Sequence, residues 1–381
     1  MGDKKRRIVI VNQAVNYLTI GLCNSFSKQI DDVALITGSI HEQGEKLVDT
    51  VNVKPIIKWE EKPAIKKFYS YLIGTFQIWW HLLVTFRNHE VLFVSIPPNA
   101  YLLSLFIRNR SSMLIWDVYP DVFKITGISE KHIFYRFWAY LNKRAFRKAY
   151  RLYTIGDKMS ELLSQYVDTK KILITPIWSV FQENLKIEKE RNPFVGQNDL
   201  SGKFVVQYSG NIGLTHRVEI LIEIASKLEG IDEEIIFQII GRGPRVEFLK
   251  NLVIQRGLKN CQFLPFQKDE MFPYSLSAAD LGVVILDDLT SKGSVPSKTY
   301  NLMSFGIPIL SIASADSELF SYCKKYNYGA CISSQDLDEC ARFILNLKQD
   351  AFLQSLYSAN SSTAALNYRR TNADKIVDLY F

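Results

Sequence analysis

Short apolar runs, each followed by a segment long enough for a helix, recur along almost the whole chain. They constrain its fold more than any other feature. In the first half they are Arg7–Val11, Val33–Thr37, Val91–Ile96, Met113–Asp117, Leu152–Ile155 and Ile172–Thr175. In the second half they are Phe204–Ser209, Ile235–Ile240, Cys261–Pro265, Leu281–Leu286, Ile307–Ile312 and Ala330–Ser333. The runs are continuously apolar and do not alternate, as expected of parallel strands covered on both faces. Two doubly wound α/β domains follow, facing each other across a cleft at the carboxyl ends of their strands. Between residues 178 and 202 the composition turns polar and charged, with Lys186, Glu188, Lys189, Glu190 and Arg191 before Asn192-Pro193. That is linker composition, so the domains are expected at 1–180 and 181–363. The last segment, Ala364–Phe381, reads as a helix able to lie against either domain.

Composition narrows the partners. The net charge is +7 and aromatics make up 13% of the 381 residues. A basic balance suits anionic partners: nucleotides, lipid phosphates, nucleic acid or acidic sugars. Five cysteines (Cys23, Cys261, Cys323, Cys331, Cys340) form no CxxC pair, which fits a reduced, cytoplasmic chain better than a disulfide framework. The basic start is followed by too short an apolar run for a signal peptide. Phe68 to Phe86 carries no formal charge, and its length approaches that of a membrane span. Because it contains Gln77, His81 and a Trp pair, it is expected to be a mostly buried domain helix; membrane-surface contact and a true span are the alternatives.

Chemistry should then lie in loops that follow strands. Tyr208-Ser209-Gly210-Asn211-Ile212-Gly213 is one such loop and Gly241-Arg242-Gly243-Pro244-Arg245 is another. Glycines there let backbone N–H groups approach a phosphate, and arginines can hold a diphosphate bidentately. A third stretch, Ser291–Ser297, leads into a short helix with Lys298 in its first turn. A cation is unfavourable at the positive end of a helix dipole unless an anion joins it. Each loop alone is also readable as an ordinary turn; three of them converging on one domain's strand ends points to phosphate. In the first half, Trp116-Asp117-Val118-Tyr119-Pro120-Asp121 follows a strand. Asp117 and Asp121, with aromatics between, suit hydroxyl-rich ligands, and either could serve as a base. A capped Asp-Pro turn is the plainer reading. Asn12 to Tyr17, after the first strand, is a further cleft-loop candidate.

His132–Arg151 holds six basic residues (Arg136, Lys143, Arg144, Arg147, Lys148, Arg151), no acidic ones and many aromatics. Such a helix suits an anionic bilayer; a nucleic-acid helix or a solvated face would look similar. No metal-ligand spacing, GxSxG elbow or Walker loop is present, so neither a metal nor another cofactor is expected.

Taken together, YSGNIG (208–213), IIGRGPR (239–245), SVPSKTYNLMSFGIPIL (294–310), Glu318 and Tyr328-Gly329 resemble the nucleotide-sugar half of retaining GT-B glycosyltransferases of family 4. VLFVSIPPNA (91–100) and LIWDVYPDVFKITGI (114–128) resemble the acceptor half of bacterial capsule and O-antigen sugar transferases. The resemblance implies a metal-independent retaining hexosyl transfer, from a UDP- or GDP-sugar to a lipid-linked glycan. The site would be cytoplasmic, at the inner membrane face, with Arg136–Arg151 meeting the bilayer and no nucleic acid involved. Gly210, Asn211, Gly241, Arg242 and Arg245 would meet the nucleotide and its phosphates. Pro265 and Phe266 would line the base pocket, and Ser297, Lys298 and Asn301 would face ribose or diphosphate. Asn12, Tyr17, Asp117 and Tyr119 would receive the acceptor. Asp121, Asp117 and Lys298 would serve catalysis, and the C-terminal helix would cross back onto the first domain. The chain departs from this pattern at two points. Relatives often carry two glutamates eight residues apart where Gly293 and Asn301 stand here. Their Arg and Lys for the diphosphate are replaced by Asn211, His216 and Arg217. A nucleotide-sugar epimerase of the same fold, or a non-catalytic sugar- or nucleic-acid-binding protein, is the rival expectation.

Overall fold

The computed structural model describes residues 6–60, 63–94, 96–182, 186–213, 217–288 and 291–381. Ser95 in the third apolar run, part of the linker and His216 lie outside this set. Two compact units emerge: one takes in Met1–Val180, Lys292–Ser294 and Arg370–Phe381, the other Phe181–Ser291 and Val295–Arg369.

The first unit contains β1 (Arg7–Val11), β2 (Ala14–Val15), β3 (Asp32–Thr37), β4 (Ser39–Ile40), β5 (Asn52–Pro55), β6 (Glu90–Val94), β7 (Ser111–Ile115), β8 (Leu152–Thr154) and β9 (Ile172–Ile174). Seven of these form one sheet in the order β5-β3-β1-β6-β7-β8-β9, and β2 pairs with β4. Every ladder is parallel. The central strands are buried from their second residue on. That is why their sequences are continuously apolar, since helices cover both faces.

Helix α1 (Tyr17–Ser27) opens at Asn16, whose side chain accepts from Leu18 N and Thr19 N. Such a cap satisfies two of the helix's orphan donors. The helix Asn372–Tyr380 packs against α1, with the Tyr380 ring edge-on to Phe26 at 5.2 Å. Arg370 clamps this return: its guanidinium reaches Gly21 O at 2.8 Å, Ser25 Oγ at 2.8 Å and Glu45 Oε1 at 2.9 Å. The expected single helix over 364–381 is in fact two, Ala351–Ala365 and Asn372–Tyr380.

α2 (Ala64–Val84) corrects one expectation. It is helical but not mostly buried. Ser70, Ile78 and Leu82 face the core, whereas Phe68, Tyr69, Leu72, Phe76, Trp80, Leu83 and Val84 are exposed. α3 (Ile133–Lys148) buries Tyr135, Trp138, Asn142, Ala145 and Phe146 and turns its basic residues outward.

The second unit contains β10 (Phe204–Asn211), β11 (Ile235–Arg242), β12 (Cys261–Leu264), β13 (Leu281–Ile285), β14 (Ile309–Ile312) and β15 (Gly329–Ile332). Their order is β12-β11-β10-β13-β14-β15, all parallel. Counted within the unit this is 3-2-1-4-5-6, the dinucleotide-fold order, which the first unit repeats with one added edge strand. In this arrangement the strand order reverses between β10 and β13, and their carboxyl ends open a crevice there.

Candidate functional site

The crevice of the second unit is walled by glycine. Gly210 and Asn211 end β10 in register with Gly241 and Arg242 of β11. A Cβ on Gly241 would sit 1.9 Å from Gly210 O, and one on Gly243 would sit 2.2 Å from Ile212 O. Gly210 itself has φ +153°, a conformation that side chains rarely adopt. Any larger residue would push these strand ends apart.

Lys298 reaches into that wall. It opens the helix Lys298–Ser304, and Ser297, the exposed residue before it, makes no side-chain cap. Seven residues make a weak macrodipole, so the puzzle of a cation at a helix start needs another solution. The side chain leaves the helix end and lays its ammonium 3.7 Å from the centre of the Tyr208 ring. A Cβ on Gly210 would come within 2.8 Å of Lys298 Nζ. The ammonium is buried and has no hydrogen-bond partner. Loss of water pushes its pKa down to about 7, since burial disfavours the charged form. Tyr208 faces the cation with its π-cloud while its hydroxyl donates to Asn211 O at 2.8 Å. Lys298, Asn301, Gln207 and Ser209 line a cavity of about 10 Å³, room for about one water. Tyr208 opens the YSGNIG loop in the sequence, but the sequence assigns it no role.

Arg242 and Phe266 form a second feature. Both are exposed, and the guanidinium lies 5.5 Å over the ring. Pro265 beside them is exposed too. Arg245 is drawn elsewhere: its guanidinium pairs with Glu219 Oε2 at 3.0 Å and lies over Phe248 at 5.1 Å. It is therefore a brace for the β11 loop before it is a ligand. No acidic side chain stands at Gly293 or Asn301. Glu318, at the start of the helix Glu318–Tyr326, is 2% exposed.

The carboxylates of the first unit separate into two kinds. Asp121 is buried and saturated. It accepts from Tyr135 Oη at 2.7 Å and Tyr166 Oη at 2.6 Å, and pairs with Lys124 Nζ at 2.9 Å. These bonds hold the turn to α3, so Asp121 is corrected from candidate base to structural hub. Asp117 is open to solvent, yet protein crowds it, and the lost hydration pushes its pKa up to about 6. Tyr119, between them, stacks on Trp138 at 5.9 Å. Asn12 is also corrected: it is 1% exposed, donates to Thr19 Oγ1 at 2.7 Å and accepts from Ala14 N at 3.2 Å. Tyr17 is half-buried and its hydroxyl donates to Trp178 O at 3.1 Å. The first unit therefore keeps Asp117 as its accessible acid and Tyr119 as its partly open aromatic. Among the described residues no group of three or more His, Cys, Asp or Glu side chains could hold a metal ion.

Residues 190–362, which include the glycine wall, Lys298 and Arg242, match the family model described as "Glycosyl transferases group 1". That segment is similar to the group 1 glycosyl transferases. Over 220 residues it is 27% identical to WcaI of Escherichia coli (strain K12), which is named as a colanic acid biosynthesis glycosyl transferase; the match covers 57% of this chain and 52% of WcaI. The chain thus spans about half the length of the curated relatives it matches. Two solved structures resemble it over nearly its full length. Anabaena Alr3699/HepE, solved in complex with UDP, is 13% identical with a TM-score of 0.71, covering 98% of both chains. WaaG, a glycosyltransferase involved in lipopolysaccharide biosynthesis, is 14% identical with a TM-score of 0.71, covering 98% of this chain and 99% of its own. The fold that the chain shares with these structures is GT-B.

Proposed function

We propose that this protein is a retaining glycosyltransferase of polysaccharide synthesis. It moves a hexose from a UDP- or GDP-sugar to a lipid-linked glycan at the inner face of the cell membrane. The observation that carries the reading is Lys298: a buried ammonium without a hydrogen-bond partner, set against two strand ends too crowded for any side chain. A buried unpaired charge is costly unless a ligand completes it. A diphosphate suits it, because the backbone N–H groups of the glycine loops and the ammonium meet the oxygens that gain charge as the glycosidic bond breaks. Anabaena HepE, of the same fold, was crystallised with UDP and with UDP-glucose, which supports a nucleotide-sugar donor.

Arg242 and Phe266 would hold the nucleoside, one by charge and one by its flat face. Asp117, with a carboxyl pushed up to about 6, would accept a hydrogen bond from the acceptor hydroxyl and take its proton as the new glycosidic bond forms. The diphosphate leaves with the electron pair of the broken glycosyl–oxygen bond, and Lys298 and the loop N–H groups meet its charge.

Thermal melting in the presence of UDP, GDP, ADP and TDP tests the donor side. One uridine or guanosine diphosphate is expected to raise the midpoint, because a ligand of the folded state stabilises it by mass action; no response to any of them would sink the proposal. Proton NMR of the anomeric centre tests retention. Asp117→Asn is expected to leave nucleotide affinity unchanged while transfer slows about 100-fold, as loss of a general base does. A fall in nucleotide affinity instead would move Asp117 to donor binding.

A further inference from the structure

Among the described residues, the outward face of α2 is a large apolar feature of the first unit that transfer chemistry does not use. Ile65 (82% exposed), Phe68, Tyr69, Leu72, Phe76, Trp80 and Leu83 recur at helical spacing and all face solvent. The helix has 21 residues, so this stripe is about 30 Å long. No acidic residue occurs in α2, and its only charged residues, Lys66 and Lys67, sit in its first turn. Arg87 lies just past its end. A soluble surface rarely leaves so large an apolar stripe uncovered.

The opposite side of α2 is fixed to the fold. Gln13, just after β1, donates to Ser70 O at 3.0 Å, and a Cβ on Gly74 would come within 2.3 Å of the Gln13 side chain. Gln77 accepts from Ile57 N at 2.8 Å. The helix cannot roll its apolar stripe inward without breaking these bonds. Among the described residues no helix is long and apolar enough to cross a membrane, and α2 has one side committed to its own core.

What lies beside α2 identifies the cover. The turn Ala100–Leu105 touches both α2 and α3, and Phe106 at its end is 66% exposed. The chain reverses its direction across the sheet after β5, and right-handed crossovers then place α2, this turn and α3 on the face opposite α1. The exposed side of α3 carries Ile133, Phe137 and Tyr140, followed by Lys143, Arg144 and Arg147. α3 has no acidic residue either. One face therefore presents an uncharged stripe rich in aromatics beside a cluster of cations. Apolar surface seeks acyl chains, Trp and Tyr suit the headgroup boundary, and Lys and Arg seek lipid phosphates.

We infer that α2 lies flat in the headgroup layer of an anionic phospholipid bilayer, with its stripe sunk toward the acyl chains and the α3 cations on the lipid phosphates. This assigns the first unit a membrane-docking face with two parts: α2 supplies depth and α3 supplies charge. This docking face deepens the membrane location proposed above and is independent of the donor.

Cosedimentation of the full chain with vesicles of phosphatidylglycerol and phosphatidylcholine tests it. The wild type is expected to pellet with these vesicles and far less with phosphatidylcholine alone. Phe76→Glu with Trp80→Glu should reduce the bound fraction about tenfold or more, since charge at the acyl boundary opposes insertion. Arg144→Glu with Arg147→Glu should weaken binding and flatten its salt dependence. All these positions are exposed, so unchanged circular dichroism and melting are expected of both variants. Amide exchange across 64–84 should slow on vesicles in the wild type only. Three results would overturn the inference: no pelleting of the wild type, equal pelleting of the α2 variant, or light scattering that shows a dimer dissolved by the α2 substitutions with no vesicle binding. The last would make the stripe a contact between two copies of the chain. Melting shifts with UDP on the same preparations separate a failure here from a failure of the proposed transfer.

Discussion

Asp121 and Lys298 are both charges taken out of water, one in each unit, and the structure treats them in opposite ways. Asp121 receives two tyrosine hydroxyls and a lysine. Lys298 receives the face of one aromatic ring and no hydrogen bond. The first is closed, and its partners hold a turn to a helix. The second is left open beside a backbone that only glycine can form. A buried charge with all its bonds made is architecture. One with none carries a standing cost of burial, which on the proposed reading a diphosphate offsets at Lys298.

The sharpest way to break this contrast is Asp121→Ala. Removing one partner of a buried pair typically costs about 3–5 kcal/mol, so urea unfolding should show a loss of that order in the first unit. Lys298→Met at neutral pH should show no such loss. If the two cost the same, the distinction between closed and open charges fails.

The next effect is on binding. Lys298→Met should weaken UDP or GDP binding about 100-fold, near 2.7 kcal/mol, while the melting midpoint of the free protein holds or rises. Isothermal titration measures the first and calorimetry the second.

A smaller, signed effect comes from protons. Lys298 releases its proton near pH 7 when folded and near 10.4 when unfolded. Between those values the unfolded chain holds the extra proton, so the folded state gains stability as pH rises from about 7 to about 10, and bears the full burial cost below about 7. A bound diphosphate restores the ammonium, so binding takes up a proton above pH 7. Affinity should then fall by up to about tenfold per pH unit above that point. In Lys298→Met both slopes contributed by this group should vanish.

The smallest effect belongs to Phe266→Ala. It removes a ring stacked with Arg242 at the surface, and about tenfold weaker nucleoside diphosphate binding is expected. A loss equal to that of Lys298 would shift the centre of recognition from phosphate to base.

Much of the fold was legible because parallel strands covered on both faces must be apolar throughout. Each of the twelve runs coincides with a strand of the two sheets. The strands that escaped are those to which the rule does not apply. Asn52–Pro55 is an edge strand with polar, exposed positions, and Ala14–Val15 and Ser39–Ile40 are two residues long. The site was legible where a residue looked wrong in its local setting, as Lys298 did. It was misread where local setting is silent. Asp121 looked like an available carboxylate because its partners, Tyr135 and Tyr166, come from 14 and 45 residues away. The stretch 68–86 was expected inside because an apolar helix does not reveal which side the fold will cover.

The Arg370 clamp sets an order of events in synthesis. The first 180 residues leave the ribosome early, yet their unit includes the helix Asn372–Tyr380. Until that helix emerges, α1 lacks the surface that Phe26 and Gly21 are shaped to meet. The unit translated first is therefore the unit completed last, and the nascent chain must carry an exposed flank of α1 while the second unit is made. A stop codon before residue 370 would remove the missing wall of the amino-terminal unit while leaving the second unit, which ends at Arg369, almost whole.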